Sequence, residues 1–381
     1  MPKISSFFKQ RFYILLPVVI VTLLGLTNES KCQTSISFNL DNCRQEPKLI
    51  EDLGSSFGLF NLQEPVNGLN EWGEHWVTGD LIVFSSFRSS TGQIYGSSGS
   101  RKYTFVAFSI SENQEKFRFD LPGISASPKM VHKLNEQGPL IIIFSDGDIF
   151  TYEPKNEKLQ KYSTGVEIYT SLRLSSENAI ILGASKEKNK EYPCFIKLDY
   201  NGRVISTEIK KSFKRQACVN NYDYETIFKY QKKLYWYNVA NSTLYVMDNN
   251  LKIIDSIILE LPNLITYDEL LDTSIFEKYR MNKFSGKTHI KGMGLINSTL
   301  VLAFISDREE YCSFIDLETN TSSTIKGLRT LTDKSGISIF PLRISEDGRI
   351  SMEISYKTEN FILSNSNLNI KVDGPAAIFV K

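Results

Sequence analysis

The chain has few cysteines, histidines and tryptophans and almost no net charge, and each scarcity removes a class of function. Its 381 residues hold five cysteines. None forms a CxxC pair, so the usual spacing of a metal site is missing. The three histidines, His75, His132 and His289, are far apart in the chain. No Gly-rich phosphate loop, HExxH helix motif or GxSxG nucleophile turn occurs. Lys plus Arg number 44 against 43 Asp plus Glu, a formal net charge of +1, so there is no overall electrostatic pull on nucleic acid. After Leu26 no run is apolar enough to cross a bilayer. Disorder is excluded as well, because 41% of the residues are hydrophobic and 23% charged.

What is present begins with an address. Lys3, Lys9 and Arg11 precede an uncharged stretch from Phe12 to Leu26. A basic flank, a short apolar run and a polar segment after it read as a secretory signal over residues 1–31. The alternative is a retained membrane anchor. That stretch is short against the roughly 20 residues a spanning helix needs, and Pro17 interrupts it. Cys32 stands at about lipobox distance and is a candidate for lipidation. Lys31 and Glu29 occupy the places where a lipobox has a small and an aliphatic residue. A disulfide with Cys43 or a free thiol are its plainer roles. An oxidising compartment permits disulfides, and Cys194 with Cys218 would close the shortest loop among the remaining cysteines. Contact with a membrane is expected only through the N-terminal segment or a lipid.

Residues 32–381 read as one all-β domain, and 24 Phe and 18 Tyr suit half-buried, pleated surfaces. Leu172-Arg173-Leu174-Ser175-Ser176-Glu177-Asn178-Ala179-Ile180 matches Leu342-Arg343-Ile344-Ser345-Glu346-Asp347-Gly348-Arg349-Ile350 across 170 residues. That gap holds three units of about 57 residues, close to kelch length. Each unit follows one template of four strands. The second strands are Leu81 to Phe84, Leu140 to Phe144, Ile180 to Leu182, Leu234 to Tyr237, Leu300 to Phe304 and Ile350 to Ile354. Third strands follow at Tyr103 to Ser109, Ile149 to Glu153, Cys194 to Asp199, Thr243 to Asp248 and Cys312 to Glu318, with turns such as Asn201-Gly202 and Asn249-Asn250 after them. Six four-stranded antiparallel units can close radially into a six-bladed β-propeller. Ser35 to Leu40 lacks a predecessor and Ala376 to Val380 lacks a successor, so pairing of these terminal strands is expected to fasten the ring. Thr266 to Phe284 has helical spacing and is expected to be a helical insertion.

The signal, the hairpin rhythm and the final strand Ala376 to Val380 together resemble the exported six-bladed propellers, related to the NHL and TolB-like groups, that are common in Bacteroidota. The resemblance spans roughly residues 33 to 381, although the Gly-rich phrases often found between NHL blades are absent. It implies a binding or scaffolding role.

Chemistry is thinly marked. Three scattered histidines fit ordinary hydrogen bonding better than a metal site. The acidic turns Asp146-Gly147-Asp148 and Asp307-Arg308-Glu309-Glu310 lack the regular oxygen ligands of a calcium loop. Neither metal nor cofactor is expected. One pattern recurs: Arg173 and Arg343 share a place near the end of the first strand with Lys133 and Lys229, and with His75 if one gap is allowed. The fifth unit has Gly294 there. Innermost strands line a propeller axis, so these groups could form a partial basic ring facing an anion. The plainer expectation is that each meets a local partner. The leading functional reading is a non-catalytic module for a protein, a glycan or a small anion. The alternative is a glycan or ester hydrolase or lyase with its site at the axial opening.

Overall fold

A computed structural model describes residues 33–41, 43, 46–62, 66, 74–89, 101–187, 190–213, 226–238, 241–264, 286–327 and 331–334, together with short strands between 338 and 380. These residues form an all-β structure of several four-stranded antiparallel sheets. Sheet A comprises Glu74–Thr78, Leu81–Ser89, Arg101–Ser109 and Gln114–Ile124. Sheet B comprises Pro128–His132, Leu140–Phe144, Asp148–Glu153 and Lys158–Ser163. Sheet C follows with Glu167–Arg173, Asn178–Glu187, Lys190–Asp199 and Val204–Ile209. Sheet D has Thr226–Tyr230, Lys233–Asn238, Thr243–Met247 and Ile253–Glu260. Sheet E has His289–Ile296, Thr299–Ser306, Glu309–Asp316 and Thr321–Lys326. In sheet F, Arg343–Ile344, Ile350–Ile354 and Ala376–Val380 come from the C-terminal end of the chain, and Phe57–Asn61 comes from near its beginning.

The strand chemistry follows position within a sheet. The second strands of sheets A to E contain stretches buried on both faces, so those stretches read as apolar runs; all of Leu140–Phe144 is buried. Fourth strands are largely solvated, as in Lys158–Ser163 and Val204–Ile209. The turn from third to fourth strand has a recurrent brace. Asp199 Oδ1 accepts from the backbone N–H groups of Asn201 and Arg203 at 2.9 and 2.8 Å. Asp248 Oδ1 does the same for Asn250 and Lys252, both at 2.9 Å. These carboxylates satisfy turn donors that no strand partner reaches. Gly202 is required in its turn for two reasons. Its φ is +78°, and an added Cβ would lie 2.6 Å from Thr151 Cγ2 of sheet B.

Five apolar clusters knit the sheets together. Trp76, Val83 and Phe105 of sheet A pack with Val131, Ile142 and Phe144 of sheet B. Ile141 and Ile149 of sheet B pack with Ile181 and Ile196 of sheet C. Leu182 and Phe195 of sheet C meet Leu234 and Trp236 of sheet D, and Phe228 and Tyr237 of sheet D meet Leu300 and Phe304 of sheet E. The fifth cluster joins Val301 and Phe314 of sheet E to Ile82 and Phe108 of sheet A, with Phe60 of sheet F among them. First strands of sheets A to F lie beside one another in succession, from A against B to E against F.

Two expectations need correcting. The C-terminal strand does pair with a strand from the other end of the chain, but the partner is Phe57–Asn61, with Phe57 opposite Val380. The expected partner lies elsewhere: Gln33–Ser37 adds a fifth strand to sheet D, parallel to Ile253–Glu260, with Gln33 opposite Ser256. The reason is packing. Ile36 and Phe38 join the apolar cluster of sheets D and E, whereas Phe60 fills the space between sheets E and A. Cys43 and Cys194 are free thiols, so neither of the disulfides weighed from the sequence forms at these positions. Burial pushes the Cys194 thiol up to about 11, which makes it an inert core residue. Residues 1–31, Cys32, Cys218 and the whole of the expected helical insertion at 266–284 lie outside the described residues. Among the described residues no helix is long and apolar enough to cross a membrane.

Candidate binding cavity

A cavity of about 500 Å³ opens where sheets A and B meet. Its walls come mainly from turns. Thr78, Gly79 and Asp80 lie at the first turn of sheet A, and Lys116 and Phe117 at the start of its fourth strand. Sheet B contributes Lys133 and Asn135 to Gly138 from its first turn, and Pro154 and Lys155 from its third. Arg173, at the end of the first strand of sheet C, also lines it. The first turn of sheet B is the structural cause. It runs from Lys133 to Pro139, whereas the matching turns of sheets A and D are the pairs Gly79-Asp80 and Gln231-Lys232. The longer loop stands up as a wall.

The charges in this cavity are unequally engaged. Lys116 pairs with Glu112, and Lys155 donates to Gln137 Oε1 at 2.9 Å. Arg173 donates from Nη2 to the backbone oxygen of Leu134 at 2.7 Å and from Nε to that of Ser175 at 3.3 Å. Among the described residues the half-buried Lys133 ammonium has neither an ion pair nor a side-chain hydrogen bond. Its backbone N–H is held by Thr78 Oγ1 at 2.7 Å, which fixes where the side chain starts. Burial pushes the Lys133 ammonium below its ordinary value and the nearby Lys155 charge adds to that, while Glu136 opposes both. Asp80 differs. Burial raises its carboxyl, but hydrogen bonds from Ser109 Oγ at 2.6 Å and from Ser111 Oγ and N–H at 2.8 and 3.0 Å outweigh that, and it stays below the usual carboxylate range.

The structure brings Lys133 and Arg173 together at this cavity, while Lys229 and His75 lie elsewhere. Lys229 donates its ammonium to the backbone oxygen of Leu174 at 2.6 Å. The contact repeats that of Arg173, since each base reaches the carbonyl just past the matching base of the preceding sheet. His75 is buried and faces Phe84 in the sheet register. The place in sheet A that matches Lys229, which faces Leu234, belongs instead to Thr78, which faces Leu81. Arg343 starts the two-residue first strand of sheet F, and its side chain lies outside the described residues. Sequence reasoning missed Phe117 and the Asn135 to Gly138 turn. The signal was there, because Glu136-Gln137-Gly138-Pro139 interrupts a repeat whose other first turns are shorter.

The acidic turns have ordinary roles. Asp148 pairs with Lys161, and Glu309 with Lys326 at 3.1 Å. His132 Nε2 lies 2.6 Å from Ser171 Oγ in a buried contact between sheets B and C. Among the described residues no group of His, Cys, Asp and Glu could hold a metal ion.

No protein-family model matches the chain, and no curated protein matches it. Solved structures do. One, an exported protein of Bacteroides fragilis NCTC 9343 by its description, aligns with a TM-score of 0.58 at 13% identity, covering 91% of this chain and 99% of that one. A luciferin-regenerating enzyme aligns with a TM-score of 0.40 at 11% identity over 86% of this chain and 95% of its own. The first likeness is one of fold, and the second is too loose to carry an argument.

Proposed function

We propose that the chain is a six-bladed β-propeller acting outside the cytoplasm, and that it binds, without transforming, a small anionic ligand in the cavity between sheets A and B. The observation that carries the binding is the Lys133 ammonium, half-buried in a cavity of about 500 Å³ with no close ion pair among the described residues, only the longer-range pull of Glu136. A partly desolvated cation without a partner gains most when an anion supplies charge-assisted hydrogen bonds. Ring closure is supported by the apolar cluster that joins sheet E to sheet A around Phe60, and by the strand from residues 57–61 that completes sheet F. Export is supported by the basic flank and apolar run before residue 27, and by the exported character stated for the Bacteroides fragilis protein of similar fold.

A glycosidase would need a carboxylic acid kept protonated near neutral pH as its general acid. Asp80 is held in the opposite condition by three hydrogen bonds, which favours binding. Thermal melting over a series of anions at constant ionic strength tests the proposal. The wild type should gain stability with a carboxylate ligand, and Lys133→Met should lose that gain while melting at the same temperature in chloride. Equal gains in both proteins would remove the cavity from consideration. Cell fractionation tests the address, and recovery of the full chain from the cytosol would end that part of the reading.

A further inference from the structure

We infer that the cavity takes a sugar acid: one carboxylate carried on a hydroxylated ring, of the hexuronate class. This rests on the anion-binding reading above and narrows it. The charge balance sets the number of carboxylates. Lys116, Lys133, Lys155 and Arg173 line the cavity against Asp80 and Glu136. Lys116 is matched by Glu112 outside the lining, while Lys155 and Arg173 are tied to neutral oxygens. Lys133 is therefore the cation with an open demand for one negative charge. Asp80 is held ionised, and it would repel a ligand of higher charge such as phosphate.

The walls set the rest of the ligand. Phe117 lines one side and is steadied by Tyr152, the ring centroids 5.7 Å apart. Pro154 and Leu81 extend that apolar surface. A pyranose ring has an apolar C–H face that packs on such a surface, and hydroxyls around its rim that need polar partners. Gln137 and Glu136 of the same lining supply them. A bare carboxylate such as acetate would leave both walls unused, and a neutral hexose would leave Lys133 unpaired. The volume lies within the span of ordinary small-ligand sites.

Isothermal titration of the purified full-length chain with galacturonate, glucose, acetate and inorganic phosphate tests this. Galacturonate should bind, acetate about 10-fold or more weakly, and glucose below detection; Lys133→Met should weaken galacturonate by about 10- to 100-fold, the range of a charge-assisted hydrogen bond. Lys133→Arg should restore most of that loss. Phe117→Leu should weaken galacturonate and leave acetate unchanged. Glucose binding as well as galacturonate would overturn the role of the carboxylate, and phosphate binding better than galacturonate would overturn the sugar-acid class; both leave a small-ligand cavity standing. Absence of heat with all four ligands, and of any melting shift, would overturn the anion-binding reading itself.

Discussion

Lys133 and Lys229 occupy matching places at the ends of first strands, in sheets B and D, yet the fold uses them differently. Lys229 precedes a tight turn, Gln231-Lys232, and its ammonium is bonded to the Leu174 carbonyl of the preceding sheet. Lys133 opens a long turn that bends away, and its ammonium is left in a cavity with no matching bond. Arg173 lies between the two cases: it lines the cavity and is also tied to the carbonyls of Leu134 and Ser175. A repeat position therefore does not define a site. Of these two lysines, the one before the tight turn is an inter-sheet strut and the one before the long turn is not.

The comparison assumes that both lysines sit on one closed scaffold. Removing residues 372–381 deletes Ala376–Val380, which lies between Ile350–Ile354 and Phe57–Asn61. Both neighbours would become bare edges, and soluble folded protein should be lost; an unchanged melting transition would show that sheet F closes nothing. Next in size is the boundary beneath the cavity. Phe144 is fully buried, with its ring centroid 5.4 Å from that of Phe150 and 5.7 Å from that of Tyr103. Phe144→Ala should cost about 3–5 kcal/mol in chemical denaturation. A loss under about 1 kcal/mol would mean that sheets A and B are held by their turns instead.

Smaller effects separate the lysines themselves. Lys229→Met removes a charged donor from the Leu174 carbonyl, and denaturation should report a loss of about 1–3 kcal/mol. Lys133→Met should change stability by less than about 0.5 kcal/mol without ligand, as for a substitution that breaks no bond. Equal costs would erase the distinction between strut and open group. The last test is pH. Burial places the Lys133 ammonium below its ordinary value of 10.5, and the proposed ligand needs the charged form. Anion affinity should be level around neutral pH and fall as pH rises through a point below 10.5. In Lys133→Arg the fall should disappear, because a guanidinium stays charged throughout that range.

Much of the strand layout was legible in the sequence. The second strands appear where their apolar runs stand, because a strand buried on both faces needs no alternation. The Asn201-Gly202 turn was legible for the same local reason. The closing partner was not: Ser35 to Leu40 and Phe57 to Asn61 are both short segments with a few apolar residues, and which of them completes sheet F and which joins sheet D depends on packing far along the chain. The basic set was legible as a recurrence, but His75 was placed three residues from the register position that Thr78 holds.

By itself the sequence determined the class of fold, the repeat of hairpins and the recurrence of basic residues near the ends of first strands, because these depend on side-chain chemistry and on periods of a few residues. Tertiary structure alone decided which end strand meets Ala376–Val380, which basic groups are tied to carbonyls, and that Lys133, Phe117 and Arg173 share one cavity. Those outcomes depend on register between segments far apart in the chain and on the shape of one long turn, which no local pattern encodes.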